Sequence, residues 1–256
     1  MAHIGLLAAT RITVGLMMFM IILAMVVSAA PTGSPFRGFE KPAREQRGTW
    51  GESELSKGKV KVYCADVGKW MLVEVTDPGV KGARGLWLRK KNGDAMPPCD
   101  INETGVTQLE GAAQYGYLAG IKGGYAFVLG ADAASGVRGV RVYSLINGAM
   151  VFDGEFDTQQ PSALISEKQT TKLRFHSEIH ARCQPTSAEA VSCWNELRAD
   201  AAIPASVKLT PPPCDALLKS HPDMLGAMVS VPVEIDLAQS SKRTFLDGSA
   251  TCSAPE

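Results

Sequence analysis

The chain predicts a mainly β protein. The expected architecture is antiparallel sheets forming a sandwich or barrel-like body, in one large or two small β units, stapled by disulfides and preceded by an N-terminal signal or anchor helix. Three observations carry this expectation. Short alternating runs recur roughly every 10–14 residues between turn residues, the pattern of half-buried strands rather than helices. Six cysteines, an even number, are spread along the body of the chain. Ahead of them, residues 12–30 (ITVGLMMFMIILAMVVSAA) are almost unbroken apolar sequence behind a single charge, Arg11.

That first segment reads as an export signal. A positive start, an apolar core and small residues before a cut are its three parts; here Arg11, Val14 to Val27, and Ser28-Ala29 supply them. Residues 1–29 are therefore assigned to a signal peptide, with Ala30 as the new start. The rival reading is an uncleaved anchor, since about 20 apolar residues can cross a bilayer. In either case the body folds outside the cytosol, in a periplasmic or extracellular setting, and the membrane is met only through residues 12–30.

Residues 30–51 are rich in Pro, Gly and charge with no sustained apolar period, and are expected to be a flexible linker. A first β unit is assigned to 52–158. Val60, Val62 and Cys64 alternate with Lys59, Lys61 and Tyr63, the period-2 signature of a strand with one buried face. Trp70 to Val75 follows as a hairpin partner, then Asp77-Pro78-Gly79 as a turn and Gly85 to Leu88 as the next strand. Tyr115 to Leu118, Tyr125 to Leu129, Val137 to Leu145 and Met150 to Phe152 continue the series. Asn147-Gly148 between the last two is the strongest hairpin signal in the chain.

A second, cysteine-rich β unit is assigned to 159–256. Lys172 to Ala181 alternates again, with Leu173, Phe175, Ser177 and Ile179 on one face. Glu189 to Ala199 fits either period, and a strand is the reading preferred. Pro211-Pro212-Pro213 is an extended linker, Asp215 to Ser220 a helical turn or two, and Met228 to Leu237 and Arg243 to Leu246 are closing strands.

In an oxidising compartment the six cysteines read as disulfides. Six allow 15 pairings; the neighbour-to-neighbour set, Cys64–Cys99, Cys183–Cys193 and Cys214–Cys252, closes three local units. A structural zinc site wants closer pairs than any present here.

Lys plus Arg and Asp plus Glu number 26 each, and losing Arg11 with the signal leaves 25 against 26, a net charge of about −1. No basic surplus exists to neutralise phosphates, which argues against nucleic acid as a partner. No motif calls for a cofactor: a G-x-S-x-G elbow, a Walker loop and a zinc-protease helix are all missing from the sequence.

Two polar constellations and one aromatic set remain. His176, Glu178 and His180 alternate and would share a strand face, with neighbouring Cβ atoms about 6.8 Å apart; they are the candidate ligands of a metal-assisted hydrolase, against the plainer reading of a solvated face. Asp153, Glu155 and Asp157 alternate likewise, as a carboxylate set or simply a wet strand face. Aromatics gather in the first unit, and Trp70, Trp87, Tyr117 and Tyr125 are the candidate binding residues, Trp and Tyr being favoured in recognition patches.

The functional expectation is an exported, non-catalytic β protein of the cell envelope that binds a protein or polymer partner, inhibitor-like in character. An envelope hydrolase using His176, Glu178 and His180 is the alternative, and a membrane-tethered structural protein a further one.

Overall fold

The computed structural model describes residues 36–100, 105–132, 136–167, 170–183, 189–220, 227–239 and 242–253. The signal or anchor segment of residues 1–30 lies outside them. Among the described residues no helix is long and apolar enough to cross a membrane.

The fold is mainly β, with antiparallel sheets and three disulfides. After a two-residue strand β1 (Phe36–Arg37), the chain lays down β2 (Glu45–Glu52), β3 (Lys59–Val67), β4 (Trp70–Thr76), β5 (Ala83–Lys90) and β6 (Val106–Gln108) as a sequential antiparallel sheet. The meander β7 (Gly116–Lys122), β8 (Tyr125–Gly130), β9 (Val137–Ser144) and β10 (Met150–Asp157) forms a second sheet. The third is built on β11 (Ser162–Glu167) and the long β12 (Thr170–Ala181). It is completed by β14 (Ala227–Asp236), β15 (Lys242–Phe245) and β17 (Thr251–Ser253), in the order β1-β11-β12-β14-β15, with β17 also on β14. The short pairs β1–β11 and β13 (Leu209–Thr210)–β16 (Gly248–Ser249) are parallel.

The second sheet is the middle of this arrangement, and its sequence shows why. Four consecutive residues of β8, Ala126 to Leu129, are all buried, the mark of a strand covered on both faces rather than one. Ala126 and Val128 join Leu72, Leu86, Leu88 and Tyr143 in a core shared with the first sheet. Phe127 and Leu129 join Val140, Phe156, Leu173, Phe175 and Val233 in a core shared with the third. The Phe36–Phe156 and Phe152–Phe175 rings meet in that second core at 4.7 and 5.9 Å. A boundary at 158/159 thus falls on the turn between β10 and β11, and the strands on its two sides share one core; the described residues belong to one compact unit.

The outer face of the first sheet carries a third core of Val60, Val62, Cys64, Met71, Val73 and Val75, with Met96 and Cys99 packed onto it from the segment after β5. That segment is fastened in two ways. Cys64–Cys99 pins it to β3 with the Cα atoms 5.7 Å apart. Asp66, buried at the end of β3, takes Lys91 Nζ at 2.7 Å and Arg44 Nη2 at 2.6 Å. Burial opposes charge on Asp66, but the hydrogen bonds and charges of Lys91 and Arg44 outweigh it and hold the carboxyl below its usual range.

The other two disulfides join the expected partners, Cys183–Cys193 and Cys214–Cys252, at Cα separations of 5.5 and 5.4 Å. Three disulfides point to an oxidising, non-cytoplasmic compartment.

Two local expectations are corrected. Residues 36–51, expected to be a flexible linker, carry β1 and most of β2. Every residue of β2 is exposed, so this edge strand is defined by its hydrogen bonds to β3, not by an apolar face, and composition could not reveal it. Glu189 to Ala199, read as a strand, is α1 (Ala190–Asp200): the helical spacing of Cys193, Trp194 and Leu197 buries one face while Val191 stays 77% exposed. The helical reading of Asp215 to Ser220 holds as α2 (Asp215–Ser220).

Candidate binding cleft

The two polar constellations, about twenty residues apart in the sequence, meet in the fold. β10 carries Asp153, Glu155 and Asp157, and crosses to β11 through Thr158–Pro161, which sets its end beside β12. There the charges of Asp157 and Glu155 act on Glu178, and Asp157 is also felt by His176. Between these strands lies a cleft of about 900 Å³. Arg141, Asp153, Glu155, Ser177, Glu178 and Arg243 give it polar walls.

Its floor is glycine. Gly130, Gly139 and Gly154 line it, one from each of β8, β9 and β10. A Cβ on Gly139 would run into the Tyr115 hydroxyl, and one on Gly154 into the Phe152 ring. These strand glycines therefore mark close approach: the Tyr115 hydroxyl packs onto Gly139 and the Phe152 ring onto Gly154. On one wall Arg141 lies 3.8 Å above the Tyr115 ring, bonds Asp153 at 3.1 Å and donates to the Gly111 carbonyl at 2.5 Å. A guanidinium so held is a fixed, pre-oriented donor. Burial is the first cause, and the charge of Asp153 the second, that pushes the Tyr115 hydroxyl up to about 12, so it stays a neutral hydrogen-bonding group. Arg243 is exposed and has no carboxylate partner among the described residues.

Glu178 is the most perturbed group here. Burial first, then the charges of Asp157 and Glu155, raise its carboxyl to about 7. Its Oε2 is buried and has no hydrogen-bond partner among the described residues. Leaving such an atom unpaired costs ~1–3 kcal/mol, and a ligand N–H or O–H would recover that. Asp157, by contrast, is satisfied: it accepts from Ser230 Oγ at 3.0 Å and from the Gln159 N–H at 2.8 Å.

The His176-Glu178-His180 trio is not gathered as a metal centre. Burial holds His176 below its ordinary range, the Pro161 carbonyl bonds its ring, and Nδ1 is unpaired; His180 is exposed further along β12. Among the described residues no group of three or more His, Cys, Asp or Glu is placed to hold a metal ion.

The four candidate aromatics are not brought together either. Trp70 packs against the core between the first and second sheets, Trp87 against the outer core, and Tyr125 against the core of the third sheet. Tyr117 alone is substantially exposed, at 39%.

Sequence reasoning picked out Glu178, Asp153, Glu155 and Asp157, but not Tyr115 with Arg141, nor the glycine floor. The signal for the floor was present: Gly130, Gly139 and Gly154 sit inside strand-like runs where a turn is not needed. Comparison with protein-family models, with curated proteins and with solved structures finds no match, and the reading of the cleft rests on its own geometry.

Proposed function

We propose that this is an exported β protein of the cell envelope that acts by binding, and that the cleft between β9–β10 and β12 holds a segment of its partner, a protein or an envelope polymer. Export rests on the apolar segment and the disulfides together. Cleavage before Ala30 is checked by amino-terminal sequencing of exported material, and a product retaining Met1 would favour the tethered reading.

The observation that carries the binding reading is the buried, unpaired Glu178 Oε2 in the wall of this cleft. Side chains of both charges and a fixed guanidinium suit a hydroxyl- or amide-rich chain that enters the cleft and supplies the missing donor. The test is retention of material from envelope extract on immobilised mature protein. Wild type retains a partner, Glu178→Gln and Arg243→Ala retain markedly less, and a change at an exposed residue that does not line the cleft, Val191→Ala, retains as much. Equal retention by all four would remove the cleft from the account.

A second reading is favoured by one observation: a carboxyl raised to about 7 beside other carboxylates is the arrangement used for general acid–base hydrolysis. It predicts that the retained material is cut by wild type and left whole by Glu178→Gln, whereas the binding reading predicts that it leaves unchanged in mass.

A further inference from the structure

The first sheet overhangs the second. Its buried inner face, Ala65 and Leu72 with Leu86 and Leu88, lies against β7–β9. Across β2–β4 the next rows are polar, Arg47–Tyr63–Glu74 and then Thr49–Lys61–Thr76, and they turn apolar only on β5, at Leu86 and Ala83. The change from apolar to polar coincides with the edge of the second sheet at β7. What remains is a groove of about 700 Å³, floored by the six β2–β4 residues of these rows and walled by Leu118 to Gly120. It is lined by different residues from the cleft.

The charges in this groove are unequally engaged. Glu74 is committed to the fold: it is mostly buried, accepts the Leu118 N–H at 2.8 Å, and burial lifts its carboxyl above the ordinary range despite that bond. It thereby satisfies a backbone donor of edge strand β7 that no neighbouring strand could reach. Tyr63 donates to Glu45 at 3.1 Å, and burial first, then that hydrogen bond, pushes its hydroxyl up to about 12. Arg47 sits 5.3 Å from the centre of the Tyr63 ring. Neither Arg47 nor Lys61 forms an ion pair among the described residues. They occupy diagonal positions on paired strands, about 7–8 Å apart at the Cα atoms. Two cations free of ion pairs among the described residues therefore lie side by side in the groove, Arg47 against the Tyr63 ring and Lys61 diagonal to it, with Leu118 and Ala119 as an apolar wall.

We infer that this groove is a second binding site, for a ligand carrying an oxyanion, carboxylate or phosphate, on a flat or apolar body. The oxyanion bridges Arg47 and Lys61, where charge-assisted hydrogen bonds are stronger than neutral ones, and the body lies between Tyr63 and Leu118. The inference does not depend on the cleft being a ligand site.

The experiment uses the mature protein and three probes of one size: benzoate, phenyl phosphate and benzyl alcohol. Amide shifts in two-dimensional NMR report where each binds. The expected result is saturable shifts centred on residues 47–49, 61–63 and 118–120 with benzoate, phenyl phosphate or both, and weaker or no saturation with benzyl alcohol. Response to one anion alone identifies the carboxylate or the phosphate as the preferred source. In Arg47→Ala/Lys61→Ala the affinity falls about tenfold or more, while an unchanged melting temperature shows that the fold is intact, both residues being exposed. Benzyl alcohol binding as tightly as the anions, no saturation by either anion, or full affinity in the double variant would overturn the inference.

Discussion

Replacing Glu178 by Gln keeps the shape of the side chain and removes its charge, so it isolates the electrostatic cost of the cleft. The folded carboxyl titrates near 7, against 4.5 for the ordinary group. At full strength such a change corresponds to about 3.4 kcal/mol. The side chain is only half-buried, and solvent screening reduces the usable part to ~1–2 kcal/mol. The folded state holds the proton more tightly than the unfolded chain. The stabilising contribution of the neutral form is thus complete below pH 4.5 and is lost as pH rises through about 7. His176 works in the opposite sense, since its depressed folded value gives a contribution present above 6.5 and lost toward acid. It is common to both proteins and cancels in the difference between them. Urea unfolding at pH 5, 6, 7 and 8, with disulfides intact, should show Glu178→Gln gaining ~1–2 kcal/mol on wild type between pH 5 and pH 8. Parallel stability–pH curves for the two proteins would refute the burial of Glu178 in the cleft beside Asp157 and Glu155.

Asp66→Asn leaves the nearly buried Lys91 without its carboxylate and should cost about 3 kcal/mol in chemical denaturation, with faster proteolysis after β5. Cys64→Ser/Cys99→Ser opens a loop closed over a separation of 35 residues, worth up to about 4 kcal/mol in the chain-entropy account, and should expose the third core to an apolar dye. Gly116→Ala drives a Cβ into the Leu129 carbonyl across the β7–β8 pair, and its melting temperature should fall by the equivalent of about 3 kcal/mol or the protein should fail to accumulate.

How much of this was legible in the chain depends on whether the cause was local. The β3 alternation follows from one buried face and one open one, and burial follows the sequence period from Lys59 to Cys64. Asn147-Gly148 turned the chain as expected, with Gly148 at φ 75°, a conformation that favours glycine. The disulfides paired with their neighbours because each joins segments that a short meander or helix already brings together. β2 was illegible, because an edge strand exposed on both faces has the composition of a linker. In α1 both periods fit the apolar residues, and Trp194 with Leu197, one turn apart, settled the competition only through the core they enter. The cleft was half-legible. Both carboxylate alternations were visible, but their meeting depends on β10 ending over β12, a non-local packing that no pattern within either strand encodes. The aromatics are dispersed for a related reason: Trp70, Trp87 and Tyr125, each partly exposed, pack against three different cores, and Tyr117 stands exposed apart from them.

The central claim is that the cleft is where the partner sits. Hydrogen exchange on mature protein loaded with the material it retains from envelope extract tests this most directly. The account predicts new protection at Gly139–Arg141, Asp153–Glu155 and Ser177–Glu178, with α1 unchanged. Protection confined to α1 or to the outer face of the first sheet, with these strands exchanging as in the free protein, would contradict it.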